Sequence, residues 1–126
     1  MIIFLPNYFT KEDARGKMIG LVNEGNWKEL NFFSTKPNQK RGNHYHKKTD
    51  ELFIILKGKI KIELNRVSVN GKLTLDIKSV IVKKGDVFII PKMIFHSFDI
   101  IEESNWINGL SIKMNIKAPD IFDLKE

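Results

Sequence analysis

The 126-residue sequence contains no cysteine, which excludes disulfide bonds, thiolate metal sites and a cysteine nucleophile. No apolar run approaches the ~20 residues of a membrane-spanning helix. The short apolar start has neither the basic residues nor the cleavage site of a signal peptide, so we expect none. These absences are compatible with a protein of the reducing cytoplasm, and we predict that location.

The charge balance is basic, with 21 lysines and arginines against 15 carboxylates and a formal net charge of +6. Lysines are spread along the chain and alternate with apolar residues, as in residues 57–62, which is typical of the solvent-facing side of strands. Basic runs of five residues and interleaved stacking aromatics are both absent from the sequence. We therefore expect no nucleic acid and no membrane as a partner, and we expect residues 1–126 to form a single domain.

Short runs with the period-two alternation of β-strands recur through the chain. They are residues 27–34, 59–64, 72–77, 80–82, 87–90, 95–101 and 110–116. Between two of them, Asn70-Gly71 predicts a hairpin turn, because both residues tolerate positive φ. Residues 10–15 predict one helical turn capped by Thr10. Many short strands separated by turns predict an all-β sandwich or barrel.

The three histidines carry the most specific chemical signal. In a strand, His44 and His46 point to one face, with Cβ atoms roughly 6–7 Å apart, a span that one metal ion can bridge. Glu51 rejoins that face if residues 47–50 form a turn or a bulge. His96 lies on a later predicted strand.

Two spaced motifs resemble the two signature motifs of the cupin superfamily. The first, His-x-His-x4-Glu-x6-Gly, is matched by Gly42, His44, His46, Glu51 and Gly58, and the second is matched by Gly85, Pro91 and His96. The resemblance covers about residues 38–100 and implies a jelly-roll β-barrel of two antiparallel sheets. Common motif residues are replaced at three positions that hold no presumed ligand, Asn38, Met93 and Ile100.

The resemblance also implies a set of metal ligands that point into the mouth of the barrel. Here they are His44, His46, Glu51 and His96. Three neutral imidazoles and a carboxylate suit Zn²⁺, Mn²⁺, Fe²⁺ or Ni²⁺, and the sequence does not choose among these divalent ions. The alternative is a cupin site in which the histidines act without a metal.

A narrower resemblance concerns the substrate. Residues 41–46, Arg-Gly-Asn-His-Tyr-His, resemble a stretch of cupins that modify nucleotide-linked sugars. These are the deoxysugar 3,5-epimerases, the 3,4-ketoisomerases and the C-terminal cupin domain of capsular polysaccharide enzymes. Residues 13–16 and 120–123 are similar to segments near the start and the end of such enzymes. This implies an epimerase or isomerase that removes a proton next to the carbonyl of a nucleotide-linked keto sugar.

For that reaction we expect catalytic roles for His44, His46 and Arg41. Imidazole titrates near neutral pH, so His44 or His46 can be the base. A histidine that holds a metal is not free to accept a proton, however. In that case the base stays open between the neighbourhood of Tyr45, Tyr8 and a metal-bound hydroxide.

Three residues are candidates for contacts with the substrate. The guanidinium groups of Arg15 and Arg41 suit a diphosphate or a carbonyl, and Phe53 is placed to line the mouth of the barrel. Two other functions remain open, because a fold does not determine a function. One is a metal-dependent oxygenase or isomerase of a small acid, and the other is a ligand-binding module without turnover.

We also predict a homodimer. Leu52, Ile54 and Leu56 alternate with Glu51, Phe53 and Ile55, so both faces of this strand are largely apolar. That pattern is expected where one face meets the core and the other meets a second copy.

Overall fold

Nine β-strands and no helix form the part of the chain that the computed structural model describes, residues 1–124. The strands are β1 (Ile3–Phe4), β2 (Phe9–Asp13), β3 (Gly16–Gly20), β4 (Glu29–Thr35), β5 (Lys40–His44), β6 (Glu51–Val67), β7 (Leu73–Lys83), β8 (Val87–Ile90) and β9 (Ile94–Leu110). Within residues 1–124 there is accordingly no helix that could cross a membrane. The all-β prediction is confirmed.

The two longest strands, β6 and β9, determine the architecture. They pair with each other antiparallel from end to end, with register shifts between Ile55 and Ile60 where the pair bends. One sheet contains β1, β4 and β8 together with the first part of β6 and the last part of β9. The other sheet contains β5 and β7 together with the remaining parts of β6 and β9. The bend thus gives two antiparallel sheets that face each other, which is the cupin arrangement. Strands β2 and β3 form a separate hairpin.

The core lies between the two facing sheets. Phe53 and Trp106 come from one sheet and Phe98 comes from the other, and all three are almost fully buried. The ring of Phe98 lies 5.2 Å from Phe53 and 5.7 Å from Trp106, so the sheets are joined by aromatic packing. Aliphatic side chains from both sheets complete the core, among them Ile55, Ile60, Ile62, Leu64, Val82, Ile90, Ile94 and Ile100.

A glycine makes the bend possible. Gly58 has φ +100°, and a Cβ atom there would overlap the hydroxyl of Ser104 and the carbonyl oxygen of Glu103 on the neighbouring strand. Only glycine lets β6 cross β9 this closely at that backbone angle.

The helical turn predicted for residues 10–15 is wrong. Most of this segment is strand β2, and the chain then reverses into β3. The carboxylate of Asp13 accepts the backbone N–H of Arg15 at 2.9 Å, and Gly16 has φ +137°. An aspartate that bonds two residues ahead, followed by a glycine, stabilises a tight turn in preference to a helix.

The predicted strand at residues 110–116 is also wrong. Strand β9 ends at Leu110, because the next backbone donors leave the sheet. The N–H of Ser111 bonds the carbonyl oxygen of Asp50 at 3.0 Å, and the N–H of Met114 bonds the carboxylate of Glu29 at 3.1 Å. Residues 111–124 therefore run as an irregular segment across one end of the barrel.

The hairpin predicted at Asn70-Gly71 is present between β6 and β7. Only Gly71 has positive φ, +77°, and Asn70 does not. The N–H of Gly71 bonds the carbonyl of Ser68, and the N–H of Ser68 bonds that of Lys72. The turn is a three-residue loop, for which one left-handed residue is sufficient.

Candidate functional site

Four side chains from separate parts of the chain meet at one end of the barrel. His44 ends β5, His46 follows it, Glu51 begins β6 and His96 lies near the start of β9. Each offers one nitrogen or oxygen atom, and these four atoms lie within 4.8 Å of one another. The structure thus brings together the four residues that the sequence analysis selected as metal ligands.

The β5–β9 ladder positions the first pair of histidines. His44 is the register partner of His96, and a bulge between Gly42 and His44, with Asn43 at φ 62°, turns the His44 ring inward. The two ring centroids are 4.9 Å apart. Gly42 must be small here, since its Cβ would come within 2.9 Å of the carbonyl oxygen of His96.

Backbone carbonyls select the tautomer of two of the rings. Nδ1 of His46 lies 2.5 Å from the carbonyl oxygen of Asp120, and Nδ1 of His96 lies 3.0 Å from that of Ile94. A carbonyl oxygen only accepts hydrogen bonds, so each Nδ1 carries the hydrogen. In the neutral rings, both Nε2 atoms therefore present a lone pair to the site. Metal-binding histidines are commonly oriented in this way.

The carboxylate of Glu51 faces those two nitrogens. Its Oε2 atom lies 3.2 Å from Nε2 of His46 and 3.0 Å from Nε2 of His96. Within residues 1–124, Oε2 and the Nε2 atom of His46 are buried and have no well-aligned hydrogen-bond partner. Acceptor atoms that converge in this way need a positive charge between them. Without a metal ion a proton supplies it, because burial lowers the pKa of His46 but the contacts with Glu51 outweigh burial and raise it. The same set of atoms fits a divalent metal ion.

Charge in the cluster follows from burial and proximity. Burial opposes ionisation of Glu51, but its contacts with His46 and His96 outweigh burial and hold the pKa of this carboxyl below its usual range. Burial, together with the nearby His96 and His46, lowers the pKa of His44 to about 4. At neutral pH, Glu51 is therefore a carboxylate and His44 an uncharged imidazole.

Two cavities open from this cluster. The larger, about 680 Å³, lies between the ligand set and residues 112–122, and Lys47, Lys48 and Lys113 stand around it. The smaller, about 190 Å³, extends into the barrel. Its wall combines Arg41 with aromatic side chains, Phe33, Phe53, Phe98 and Trp106. His44 and Glu51 line both cavities.

Arg41 and Phe53 both lie on the smaller cavity. The Nε atom of Arg41 donates to the hydroxyl of Thr35 at 3.1 Å, and its guanidinium lies 5.4 Å from the centre of the Phe33 ring. These contacts hold the guanidinium beside the cavity. Phe53 is 4% exposed and stacks on Phe88, so it belongs to the core as well as to the cavity wall.

Three other sequence candidates lie away from the described cavity walls. Arg15 is exposed at the β2–β3 turn, where its guanidinium binds Asp13 at 2.7 Å. Tyr8 covers Gly20 at the base of that hairpin. Tyr45 is buried, and its ring lies 5.8 Å from that of Phe122. Among residues 1–124, none of these three lines either cavity.

Asp120 is a site residue that was not expected from the sequence. Its carboxylate accepts the N–H groups of Lys47 (3.0 Å), Lys48 (2.8 Å) and Thr49 (3.0 Å), and also the Thr49 hydroxyl (2.9 Å). Burial opposes ionisation, but these bonds outweigh it and hold the pKa of Asp120 below its usual range. The only sequence signal was the similarity of residues 120–123 to the tail of capsular enzymes, which gave no role to any of them.

Asn108 was missed too. Its amide nitrogen lies 3.4 Å from both Oε1 of Glu51 and the carbonyl oxygen of Leu52. It therefore steadies the carboxylate from the side opposite the histidines. An isolated asparagine inside a strand carries no signal of this kind.

Solved structures of sugar-modifying proteins share this fold. A 3,4-ketoisomerase from Helicobacter canadensis is 23% identical with a TM-score of 0.71, and the match covers 97% of this chain and 88% of that one. A dTDP-4-dehydrorhamnose 3,5-epimerase from Sulfolobus tokodaii is 18% identical with a TM-score of 0.75, over 92% of this chain and 73% of that one. The match to the capsular polysaccharide assembling protein CapF from Staphylococcus aureus is 22% identical with a TM-score of 0.68. It covers 94% of this chain but only 34% of CapF, so the chain spans about a third of that protein.

None of the curated proteins matches the chain. The model of one protein family does match, over residues 11–122, and this stretch contains the four converging side chains, both cavities and Asp120. The family is described as the polysaccharide biosynthesis C-terminal domain. Because the match extends over most of the sequence, the chain belongs to the polysaccharide biosynthesis C-terminal domain family.

Proposed function

We propose that this protein epimerises or isomerises a nucleotide-linked keto sugar in polysaccharide or deoxysugar biosynthesis. The observation that carries the proposal is the position of His44, an uncharged imidazole on the wall shared by two cavities and beside a cation-binding cluster. Removal of a proton next to a carbonyl needs a base and a positive centre close together. The names of two structures that share the fold, a 3,4-ketoisomerase and a dTDP-4-dehydrorhamnose 3,5-epimerase, support the choice of substrate class.

The four residues of the cluster divide into two roles in this proposal. His46, Glu51 and His96 hold the metal, because backbone carbonyls fix both rings with Nε2 turned towards the carboxylate. His44 has no such carbonyl contact among residues 1–124, and we assign it as the base. This division answers the conflict between binding a metal and accepting a proton.

The bound ion, of zinc, manganese, iron or nickel, would stabilise negative charge on the substrate oxygen. His44 takes the proton from the carbon next to the carbonyl. In an isomerisation it returns the proton to the former carbonyl carbon, while the proton of the neighbouring hydroxyl passes to the former carbonyl oxygen. In an epimerisation a proton from water enters the opposite face of the same carbon, and His44 gives up its proton to solvent. Arg41 donates hydrogen bonds to a substrate oxygen in the smaller cavity, and Phe53 excludes water there. The larger cavity has the volume to hold the nucleotide diphosphate. Lys47, Lys48 and Lys113 in its wall are available to the phosphates, and the carboxylates of Glu29, Glu51 and Asp120 also line it. Arg15 stays a predicted contact to the substrate.

The test separates the two roles. Purified protein is incubated in D₂O with a dTDP-linked 4-keto sugar, and mass spectrometry follows deuterium entering the sugar, while elemental analysis measures bound metal. We expect His44→Gln to keep the metal but lose exchange, and His46→Gln to lose both. An active His44→Gln variant would refute the assigned base.

Absence of exchange in metal-loaded wild-type protein would refute the reaction itself. The donor set of His46, Glu51 and His96, two histidines and a carboxylate, is also that of non-haem iron oxygenases. Oxygen consumption by the iron-loaded protein would assign it to that alternative. Binding of a sugar nucleotide without any turnover would assign the protein to the other alternative, a ligand-binding module.

The proposal includes the setting of the reaction. We propose that the protein works as a homodimer in the cytoplasm.

A further inference from the structure

We propose that Asp120 is a positioning residue that fixes His46 and Glu51 in place from the far end of the sequence. The inference rests on the proposed metal-binding role of these two residues, not on the identity of the sugar. Asp120 belongs to residues 111–124, which form no part of the sheets apart from one bridge between Tyr45 and Phe122.

The first part of the inference concerns the link between the two ligands. Residues 47–50 join His46 to Glu51, and side chains five positions apart would point to opposite faces of a regular strand. The link must therefore fold into a turn before both can face one centre. The carboxylate of Asp120 accepts three successive N–H groups of this turn, those of residues 47, 48 and 49, at 2.8–3.0 Å. Successive N–H groups around one anion form a nest, which stabilises the turn.

The second part concerns the tautomer of His46. His96 obtains its carbonyl partner from Ile94, two residues earlier in the same strand, so β9 supplies it directly. His46 lies beyond the end of β5, and its partner is the carbonyl of Asp120, 74 residues away in the sequence. The carbonyl stays in place only while the segment is held, and the carboxylate of the same residue holds it together with the bridge between Tyr45 and Phe122. Asp120 thus contributes to both the turn and the ring.

The experiment compares Asp120→Ala with Asp123→Ala. Asp123 is an exposed carboxylate on the same segment that makes no hydrogen bond or ion pair within residues 1–124. Its charge raises the pKa of His44 only from a distance, so Asp123→Ala controls for the loss of a nearby negative charge without the loss of the hydrogen bonds. Nitrogen NMR on the metal-free, ¹⁵N-histidine-labelled protein, recorded at a pH high enough to keep the rings neutral because Glu51 raises the pKa of His46, reports the tautomer of each of the three rings. Competition with a chromogenic chelator reports the affinity for Zn²⁺.

In wild-type protein we expect His46 and His96 to carry hydrogen on Nδ1. In Asp120→Ala, His46 is expected to become a mixture of tautomers while His96 is unchanged, and Zn²⁺ affinity is expected to fall about 10- to 100-fold, as for the loss of other groups that orient metal ligands. A general loss of structure would instead affect both rings. Asp123→Ala is expected to match wild-type protein.

Unchanged His46 tautomer and unchanged Zn²⁺ affinity in Asp120→Ala would overturn the proposal, and so would an equal loss in Asp123→Ala. If Asp120→Ala does not fold, Asp120→Asn decides the question, because it keeps the volume but replaces one acceptor oxygen with an NH₂ group. An asparagine variant that behaves as wild type would likewise overturn it. Both measurements are made without a sugar nucleotide, so their outcome is independent of the proposed reaction.

Discussion

Glu51 supplies the negative charge of the candidate centre. It is the one carboxylate among the four converging side chains, and it is 7% exposed. A buried carboxylate without a compensating cation costs several kcal/mol, so its presence beside two imidazole lone pairs favours a bound ion. The electrostatic attraction to that ion depends on the charge of the side chain more than on its shape.

We therefore predict that Glu51→Gln, which keeps the shape and removes the charge, weakens Zn²⁺ binding by about 100-fold or more. Loss of a group that only orients a metal ligand weakens metal binding by about 10- to 100-fold, and Glu51 is itself a ligand in this proposal. Glu63→Gln is the control, since Glu63 is exposed on the outer side of β6 and its carboxylate pairs with Lys61, at 3.8 Å, and with no other charged group of residues 1–124. Chelator competition measures both variants. Equal affinities would show that Glu51 does not bind the ion.

Asn38 gives a second prediction at this scale. It is exposed and has φ 64°, a left-handed conformation that asparagine and glycine tolerate better than other residues. We expect Asn38→Ala to lower the free energy of unfolding by about 1 kcal/mol, and Asn38→Gly to match or exceed the wild type. Urea denaturation measures both, with Asn26→Ala as the control at an exposed residue without positive φ. Equal stability of the two Asn38 variants would contradict this reading.

The same residues show what the sequence could predict about the site. Asn38 and Met93 stand where cupins commonly have glycine, and both have φ 64°, so the motif located the backbone conformation although the residue differs. The metal-ligand candidates were recognisable because their spacing is local or belongs to a motif. Asp120 was not, since it acts through a backbone carbonyl and a carboxylate on an irregular segment 74 residues from His46.

At the scale of elements, the long strands explain why some of the predicted runs do not correspond to separate strands. Predicted runs at 72–77 and 80–82 are both part of β7, and the run at 95–101 is the first part of β9. In β9 the alternation of buried and exposed residues stops at Ile101–Glu103, where three successive side chains are exposed. The bend therefore interrupts the period of two, although the backbone pairing continues on either side of it.

The bend itself can be tested at Gly58. Gly58→Ala combines a strained φ of +100° with overlap against Ser104 and Glu103, and we expect it to cost about 2–5 kcal/mol of stability. Gly85→Ala is the matched control, because its φ is +95° but nothing lies within 4 Å of the added Cβ. That variant should lose only the strain energy, about 1–2 kcal/mol. Chemical denaturation compares them, and equal losses would mean that the close crossing of β6 and β9 does not constrain residue 58.

At the scale of the whole molecule, one outer face of the barrel is apolar. Across four neighbouring strand pairs, the register aligns a single row of residues, Leu30, Gly109, Leu52, Ile89 and Ile3. A second row beside it contains Phe32, Ile107 and Ile54. Leu30 is 67% exposed and Phe32 is 60% exposed, which is unusual for side chains grouped in one patch. Leu52 and Ile54, two of the residues from which a homodimer is predicted, lie in these rows, although Leu52 is only 3% exposed and is thus already covered within the chain.

We predict that the purified protein is a dimer joined through this face, because a symmetric pair would bury both copies of the patch at once. Light scattering after size exclusion should give twice the 14.7 kDa mass of the chain. The double variant Leu30→Lys/Leu56→Lys places charges at two exposed positions, 67% and 42%, and should be a folded monomer. Leu75→Lys is the control, since Leu75 is 98% exposed but lies on β7, in the other sheet. A monomeric wild type, or a dimer that Leu75→Lys disrupts and the double variant does not, would exclude this face as the interface.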